Sequence, residues 1–282
     1  MSEPLPSDNL RIAGLYIYPV KSCRGIHLDE IQLTQRGFSH DREWMVVRPD
    51  GTFLTQREAA RLALVETVIS AEALEILAPD HGGMRLDLKI RPGEVTKCEV
   101  VIWKERCPAL DMGPDAAAWF TDFLGFRVRL VRFDPKFRRL SDPVWTGASE
   151  AENLFSDGFP ILILSEESLA DLNSRITGPP LTMERFRPNL VIAGTAAYGE
   201  DRMESLMART ATFRIVKPCT RCVITNTDPI SGVRGEEPLR TLETYRRDER
   251  LGGVTFGQNA IITDGVGDVL HTDMSLMAWG PG

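Results

Sequence analysis

Turn residues interrupt this chain at short intervals, and that spacing limits what it can fold into. The runs Leu15-Tyr16-Ile17-Tyr18, Glu43-Trp44-Met45-Val46-Val47, Leu62-Ala63-Leu64-Val65 and Cys98-Glu99-Val100-Val101-Ile102-Trp103 are strand-like. Between them lie Pro49-Asp50-Gly51, Pro79-Asp80-His81-Gly82-Gly83 and Pro92-Gly93. Short apolar runs bounded by Pro, Gly and Asp are the pattern of antiparallel strands and their turns. The spacing predicts a small antiparallel sheet or barrel over residues 10–104.

The period changes further on. Ala116, Trp119, Phe120 and Phe123 recur at helical spacing between Pro114 and Gly125, which predicts a short amphipathic helix with a glycine stop. Phe126 to Arg132 reads as a strand, and Phe137 to Phe155 as a long, polar loop of the kind that often carries function. Phe159 to Leu164 is an apolar strand. Ser165-Glu166-Glu167-Ser168 then opens a helix, with a Ser cap and acids in the first turn. Leu190 to Ala193 and Gly253 to Thr263 read as strands, and Pro238 to Arg247 as a short helix.

Bulk properties remove several function classes. The 282 residues are 43% hydrophobic, enough to bury a real core. No apolar run approaches the roughly 18 residues a spanning helix needs, so no membrane span is expected. The first eight residues lack a basic region followed by an apolar one, so no secretory signal is expected. Five scattered cysteines argue against a disulfide framework and for a reducing cytoplasm. A net charge of −7 argues against nucleic-acid polymers as partners. Any cluster of Arg and Lys inside so acidic a chain needs a reason, and a bound anion is one.

Pro218-Cys219-Thr220-Arg221-Cys222 is the segment with most chemistry. It lies between the strand-like Ala211 to Val216 and a second apolar run from Val223 that reads as the start of a strand. A thiolate there can bind a soft metal, and Arg221 can favour the thiolate or hold an anion. A zinc site would need two more ligands, and His27, His40, His81 and His271 are isolated. A thioredoxin-like pair would need a helix after the motif. The spacing alone leaves a functional thiol and an ordinary buried pair both open. Val20-Lys21-Ser22-Cys23-Arg24-Gly25 offers ammonium, hydroxyl and backbone N–H groups to a phosphate, or is a basic surface turn. Arg42 between Asp41 and Glu43 reads as a solvated ion-pair turn. In Phe186-Arg187-Pro188-Asn189, Pro188 fixes an extended approach to the next strand, and Asn189 can bond a loop carbonyl or a ligand. Gly257-Gln258-Asn259 marks either a close backbone approach or a strand irregularity.

In this order, Tyr18-Pro19-Val20-Lys21-Ser22-Cys23, Asp41-Arg42-Glu43-Trp44, Leu169-Ala170-Asp171-Leu172-Asn173, Phe186-Arg187-Pro188-Asn189, Cys219-Thr220-Arg221-Cys222 and Phe256-Gly257-Gln258-Asn259 resemble the MOSC-domain family. The likeness is to the mitochondrial amidoxime-reducing components and to bacterial reductases that detoxify N-hydroxylated bases. It runs from about Leu10 to Thr272. It implies an α+β, β-rich fold: a MOSC N-terminal β domain over 10–104, then a MOSC β-barrel domain with a few helices over 105–282.

The resemblance also implies a pyranopterin molybdenum cofactor, Mo-molybdopterin, and reduction of N-oxygenated compounds. Cys222 matches the molybdenum-ligating and catalytic cysteine. Cys219 matches a position with no required ligand role. Lys21, Ser22, Arg42, Arg187, Asn189, Thr220 and Arg221 match positions that hold the cofactor, and Asn259 falls at a further contact. The family is also associated with pyridoxal phosphate binding. No cysteine follows Cys222, so no downstream iron–sulfur cluster is expected. Electrons would come from a separate donor protein, a flavin reductase and/or a small iron–sulfur or haem carrier. Another implied role is that of a cofactor- or sulfur-carrying protein, with Cys219 and Cys222 passing a persulfide.

Overall fold

The computed structural model describes residues 2–5, 9–90, 93 and 95–281; Pro92, half of the expected Pro92-Gly93 turn, lies outside them. The fold is α+β and strand-rich, with mixed sheets. The largest sheet takes its strands in the order Ser2–Pro4, Met277–Pro281, Ser205–Ala208, Ala211–Thr220, Gly253–Asp264, Ile161–Ser165, Leu190–Ala193, Arg11–Ile17 and Ile26–Leu28, with Arg247–Asp248 paired to the side of Gly253–Asp264. A second sheet orders Thr96–Ile102, Glu105–Asp111, Arg129–Phe133 and Trp44–Val47. Two three-stranded sheets complete the molecule: Val269–His271, Glu30–Thr34 and Gly37–Phe38, and Glu66–Ile69, Ala73–Ala78 and His81–Asp87.

The strands expected over 10–104 therefore do not form one small sheet. Arg11–Ile17 crosses over to pair with Leu190–Ala193, because its inward residues Ile12, Leu15 and Ile17 complete a core with Ile163, Ile192 and Phe213. Apolar area buried this way dominates over sequence neighbourhood. The Thr96–Ile102 and Glu105–Asp111 strands form one hairpin across residue 104.

The helix Pro114–Leu124 forms as expected. Pro114 sits at its first position, Gly125 caps it at φ +80°, and Ala116, Phe120 and Phe123 are buried. Ser165 caps Glu166–Arg175 by accepting from the Ser168 amide. That helix carries the chain between the parallel strands Ile161–Ser165 and Leu190–Ala193.

Four readings need correction. Leu62 to Val65 is not a strand; Ala60–Leu64 is a 3-10 helix that turns Leu62 and Ala63 into the core. Val223–Asn226 is also a 3-10 helix, because the Cys222 carbonyl accepts from both the amide and the hydroxyl of Thr225. The β-branched run there looks like a strand, but local bonding closes a turn. The late helix is shorter, Leu239–Glu243, and Arg247–Asp248 is strand. The long loop contains one helical turn, Pro143–Thr146, capped by Asp142.

Candidate active-site pocket

The strand pair at one recess is irregular. Pairing between Ala211–Thr220 and Gly253–Asp264 slips between Ile215 and Lys217 and again between Pro218 and Thr220. Gly257 sits opposite with φ +80°, and a Cβ there would lie 2.7 Å from the Ile163 carbonyl oxygen. The sequence offered a strand irregularity or a close approach; both occur. Such bulges re-aim side chains, and these bring Cys219, Thr220 and Asn259 to the pocket.

The recess has a volume of about 140 Å³. Lys21, Ser22, Arg42, Arg187, Asn189, Thr220, Arg221, Cys222 and Asn259, all singled out by sequence, line it together. Ser22, Arg42 and Arg187 hold positive φ values of 68°, 50° and 58°. Non-glycine residues rarely adopt this backbone, and three of them line this one recess.

Tyr18 organises the cations. Its ring is fully buried, with the Arg42 guanidinium 4.3 Å and the Arg187 guanidinium 4.2 Å from its centroid. Desolvated cation–ring contacts hold both groups. Arg42 is not the solvated turn expected. Its Nη1 donates to both oxygens of Asp41, at 2.8 and 2.6 Å, and to Asn189 Oδ1 at 2.9 Å. Its Nη2 donates to the Arg187 carbonyl. Glu43, the other neighbouring acid, belongs instead to Arg132 and His40. Arg187 donates to the Cys23 carbonyl at 2.6 Å. Burial, reinforced by Arg42, pushes its pKa down to about 10, which leaves it charged at neutral pH. Asn189 is held at both ends of its carboxamide. It accepts from Arg42 and the Leu162 amide and donates to the Tyr16 carbonyl. It is a bracket for Arg42 in this structure.

Lys21 is not presented as a free ammonium. Its Nζ donates to the Phe155 carbonyl at 2.8 Å and to Asp157 Oδ1 at 2.5 Å. Burial pushes its pKa down, while Asp157 works the other way. Asp157 looks into the recess with 56% of its side chain accessible. Enclosure by the walls opposes its charge, but Lys21 and then Arg57 hold the carboxyl well below the usual range. The loop expected over 137–155 supports this corner. Buried Arg139 donates to the carbonyls of Leu154 and Ser156, fixing the approach to Asp157.

The two thiols have separate partners. Cys219 Sγ accepts from Arg221 Nη1 at 3.0 Å, and Cys222 Sγ accepts from Arg57 Nη2 at 3.2 Å. Arg57 and Asp157 were not singled out by sequence. Thr55-Gln56-Arg57-Glu58 has the spacing of a capping box, and Glu58 does bond the Thr55 amide and hydroxyl. That signal fixes a turn at Arg57 without indicating that it reaches across 165 positions to Cys222. Burial pushes the Cys23 thiol up to about 12 and the Cys107 thiol up to about 11.

Five cations and one carboxylate line the recess. Among the described residues no carboxylate lies within ion-pair distance of Arg57, Arg187 or Arg221, and Arg221 Nε is buried without a partner. No three His, Cys, Asp or Glu side chains gather into a metal cage among the described residues. The donor set fits an anionic group that brings its own metal ligands and takes one sulfur from the protein.

Motifs from both halves of the chain meet in this one cationic pocket, and each half matches a known domain. Residues 9–127 match the MOSC N-terminal beta barrel domain and residues 150–271 the MOSC domain, and the chain belongs to the MOSC-domain family. It is 35% identical over 279 residues to mitochondrial amidoxime-reducing component 1 of Homo sapiens, covering 92% of this chain and 82% of that protein. It is 35% identical over 246 residues to mitochondrial amidoxime reducing component 2 of Rattus norvegicus, covering 83% and 72%. Molybdenum cofactor sulfurase of Oryza sativa subsp. japonica is 32% identical over 275 residues, which is 91% of this chain and 33% of that protein. No helix among the described residues is long and apolar enough to cross a membrane.

Proposed function

We propose that this chain is a molybdenum-cofactor oxidoreductase that reduces N-oxygenated compounds such as hydroxylamines, amidoximes and N-hydroxylated bases. The observation that carries the reading is the meeting of Cys222 with Arg57, Arg187 and Arg221, guanidiniums without an ion-pair partner among the described residues, in one recess. The names of its relatives, which speak of amidoxime reduction and of the molybdenum cofactor, support the same reading.

Cys222 supplies the sulfur ligand. Arg187 and Arg221 neutralise the anionic cofactor, and Arg42, braced by Asp41 and Asn189, adds to their field. Ser22, Thr220 and Asn259 offer polar contacts at the same wall. Lys21 keeps Asp157 ionised beside the reacting region. Bound there, the cofactor would supply a two-electron redox centre suited to accepting oxygen from an N–O group. Electrons come from a separate flavin reductase, directly or through a small iron–sulfur or haem carrier. A cytoplasmic setting is part of the proposal, supported by five unpaired cysteines.

Metal analysis of protein made in a host that synthesises the cofactor tests the reading. Molybdenum near one equivalent is expected. Stoichiometric zinc without molybdenum would reject it. The isolated protein should not oxidise NADH or NADPH with a hydroxylamine, yet should turn over with a low-potential dye. A persulfide on Cys219 or Cys222, with no turnover in the dye assay, would favour sulfur transfer.

A further inference from the structure

Trp103 occupies the tip of the hairpin formed by Thr96–Ile102 and Glu105–Asp111. Its φ is +56°, a conformation that bulky side chains avoid and that a two-residue turn normally assigns to Gly, Asn or Asp. Burial does not compensate for this, since the residue is 46% exposed. Three contacts hold it at the mouth of the recess. The indole Nε1 donates to Asp157 Oδ1 at 3.3 Å, the Arg57 guanidinium lies 4.7 Å from its ring, and Phe53 packs with a centroid distance of 5.1 Å. Arg57 in turn donates to Cys222. The indole is therefore tied to the two groups that flank the candidate reacting region, and the residue stays 46% exposed beside them. Backbone strain kept at such a place is a mark of function.

We infer that Trp103 is a substrate-positioning rim, whose open indole surface stacks a planar, delocalised N-oxygenated group, such as an aromatic amidoxime or an N-hydroxylated base, beside Cys222. The inference rests on the reductase reading for the identity of the ligand. Aromatic stacking supplies about a tenfold preference for a flat ligand over one without a ring. The Asp157 contact occupies the indole N–H, so the ring cannot reorient without losing that bond, and the stacking surface is fixed in advance.

Equilibrium binding without a reductant tests this on the cofactor-loaded protein, since neither probe turns over without electrons. The probes are N-hydroxybenzamidine, which is flat and aromatic, and N-methylhydroxylamine, which has no ring. Trp103→Gly should weaken N-hydroxybenzamidine about tenfold and leave N-methylhydroxylamine within about twofold. Trp103→Phe should restore most of the loss. With dye as donor, KM for the flat substrate should rise while kcat holds. If Trp103→Gly does not fold, Trp103→Asn, which also accepts left-handed backbone, carries the same comparison. Equal losses for both probes, unchanged binding of N-hydroxybenzamidine, or no saturable binding of it to the unsubstituted protein would overturn the inference. Turnover separates the two readings. The expected binding pattern without turnover rejects the reductase and keeps the rim; turnover indifferent to Trp103 rejects the rim and keeps the reductase.

Discussion

Gly25→Ala is expected to dismantle the pocket from behind. A Cβ on Gly25 would lie 2.4 Å from Tyr18 Cε1 and 2.9 Å from Cδ1. The ring has little freedom to yield, because it is fully buried and two guanidiniums lie within 4.3 Å of its centroid. Forcing a methyl into a filled core costs about 1–3 kcal/mol. Displacing the ring also weakens two desolvated cation–ring contacts, each worth about 1–2 kcal/mol. Retaining about half of those contacts gives a total near 3 kcal/mol. For a chain of this size that corresponds to roughly 6–12 °C in melting temperature. Urea or thermal unfolding measures the loss, and molybdenum content measures the damage to the site. Tyr18→Leu should relieve the clash, so the Gly25→Ala penalty should shrink in that background. An unchanged unfolding midpoint together with full molybdenum content would refute the reasoning, as would equal penalties in both backgrounds.

Cys222→Ser should abolish molybdenum retention and reductase activity while Cys219→Ser keeps most of both; the reverse ranking, read by metal analysis, would reassign the ligand. Arg221→Ala strands one carbonyl, that of Phe186, and should lower cofactor occupancy with a small change in apoprotein melting, whereas Lys21→Met should lower both, because it strands the Asp157 carboxylate as well as the Phe155 carbonyl; matching effects in the two variants would contradict the distinction. Glu200 is buried against Ser165 and Ser168, and burial raises its carboxyl pKa above the usual 4.5. Its folded form binds the proton more tightly than the unfolded chain, so its contribution is full below the ordinary carboxyl value and is lost as pH rises through the raised one. Glu200→Gln should therefore flatten the loss of stability above about pH 4.5, measured as unfolding midpoint against pH.

The candidate site was more legible in the sequence than the fold that assembles it. Lys21, Arg42, Arg187 and Cys222 each lie in a short motif whose order is informative, so their meeting was foreseeable. How each is used was not. The Lys21 ammonium is satisfied by Phe155 and Asp157, and Asn189 by Arg42 and two backbone groups, through contacts far away in sequence. Local capping signals worked where bonding is local, as at Ser165 and Gly125. They did not distinguish the β-branched run after Cys222 from a strand, because a single carbonyl accepting from Thr225 decides that turn. Strand order was the least legible feature. Whether Arg11–Ile17 pairs locally or with Leu190–Ala193 depends on which partner completes an apolar face, and alternation along one strand does not encode that.

The span of the pocket's contacts has a consequence for assembly. Cys222 meets Arg57 across 165 positions, and Arg187 meets the Cys23 carbonyl across 164. Closing such loops is slow compared with forming a hairpin or a helix, so these contacts mature near the end of folding. A chain still being synthesised has the Lys21 loop long before it has Cys222. Cofactor capture is therefore an event of the finished protein, and a ribosome-bound fragment ending before residue 219 has Arg42, Arg57 and Arg187 but neither Arg221 nor a thiol from the Cys219–Cys222 pair with which to retain the metal.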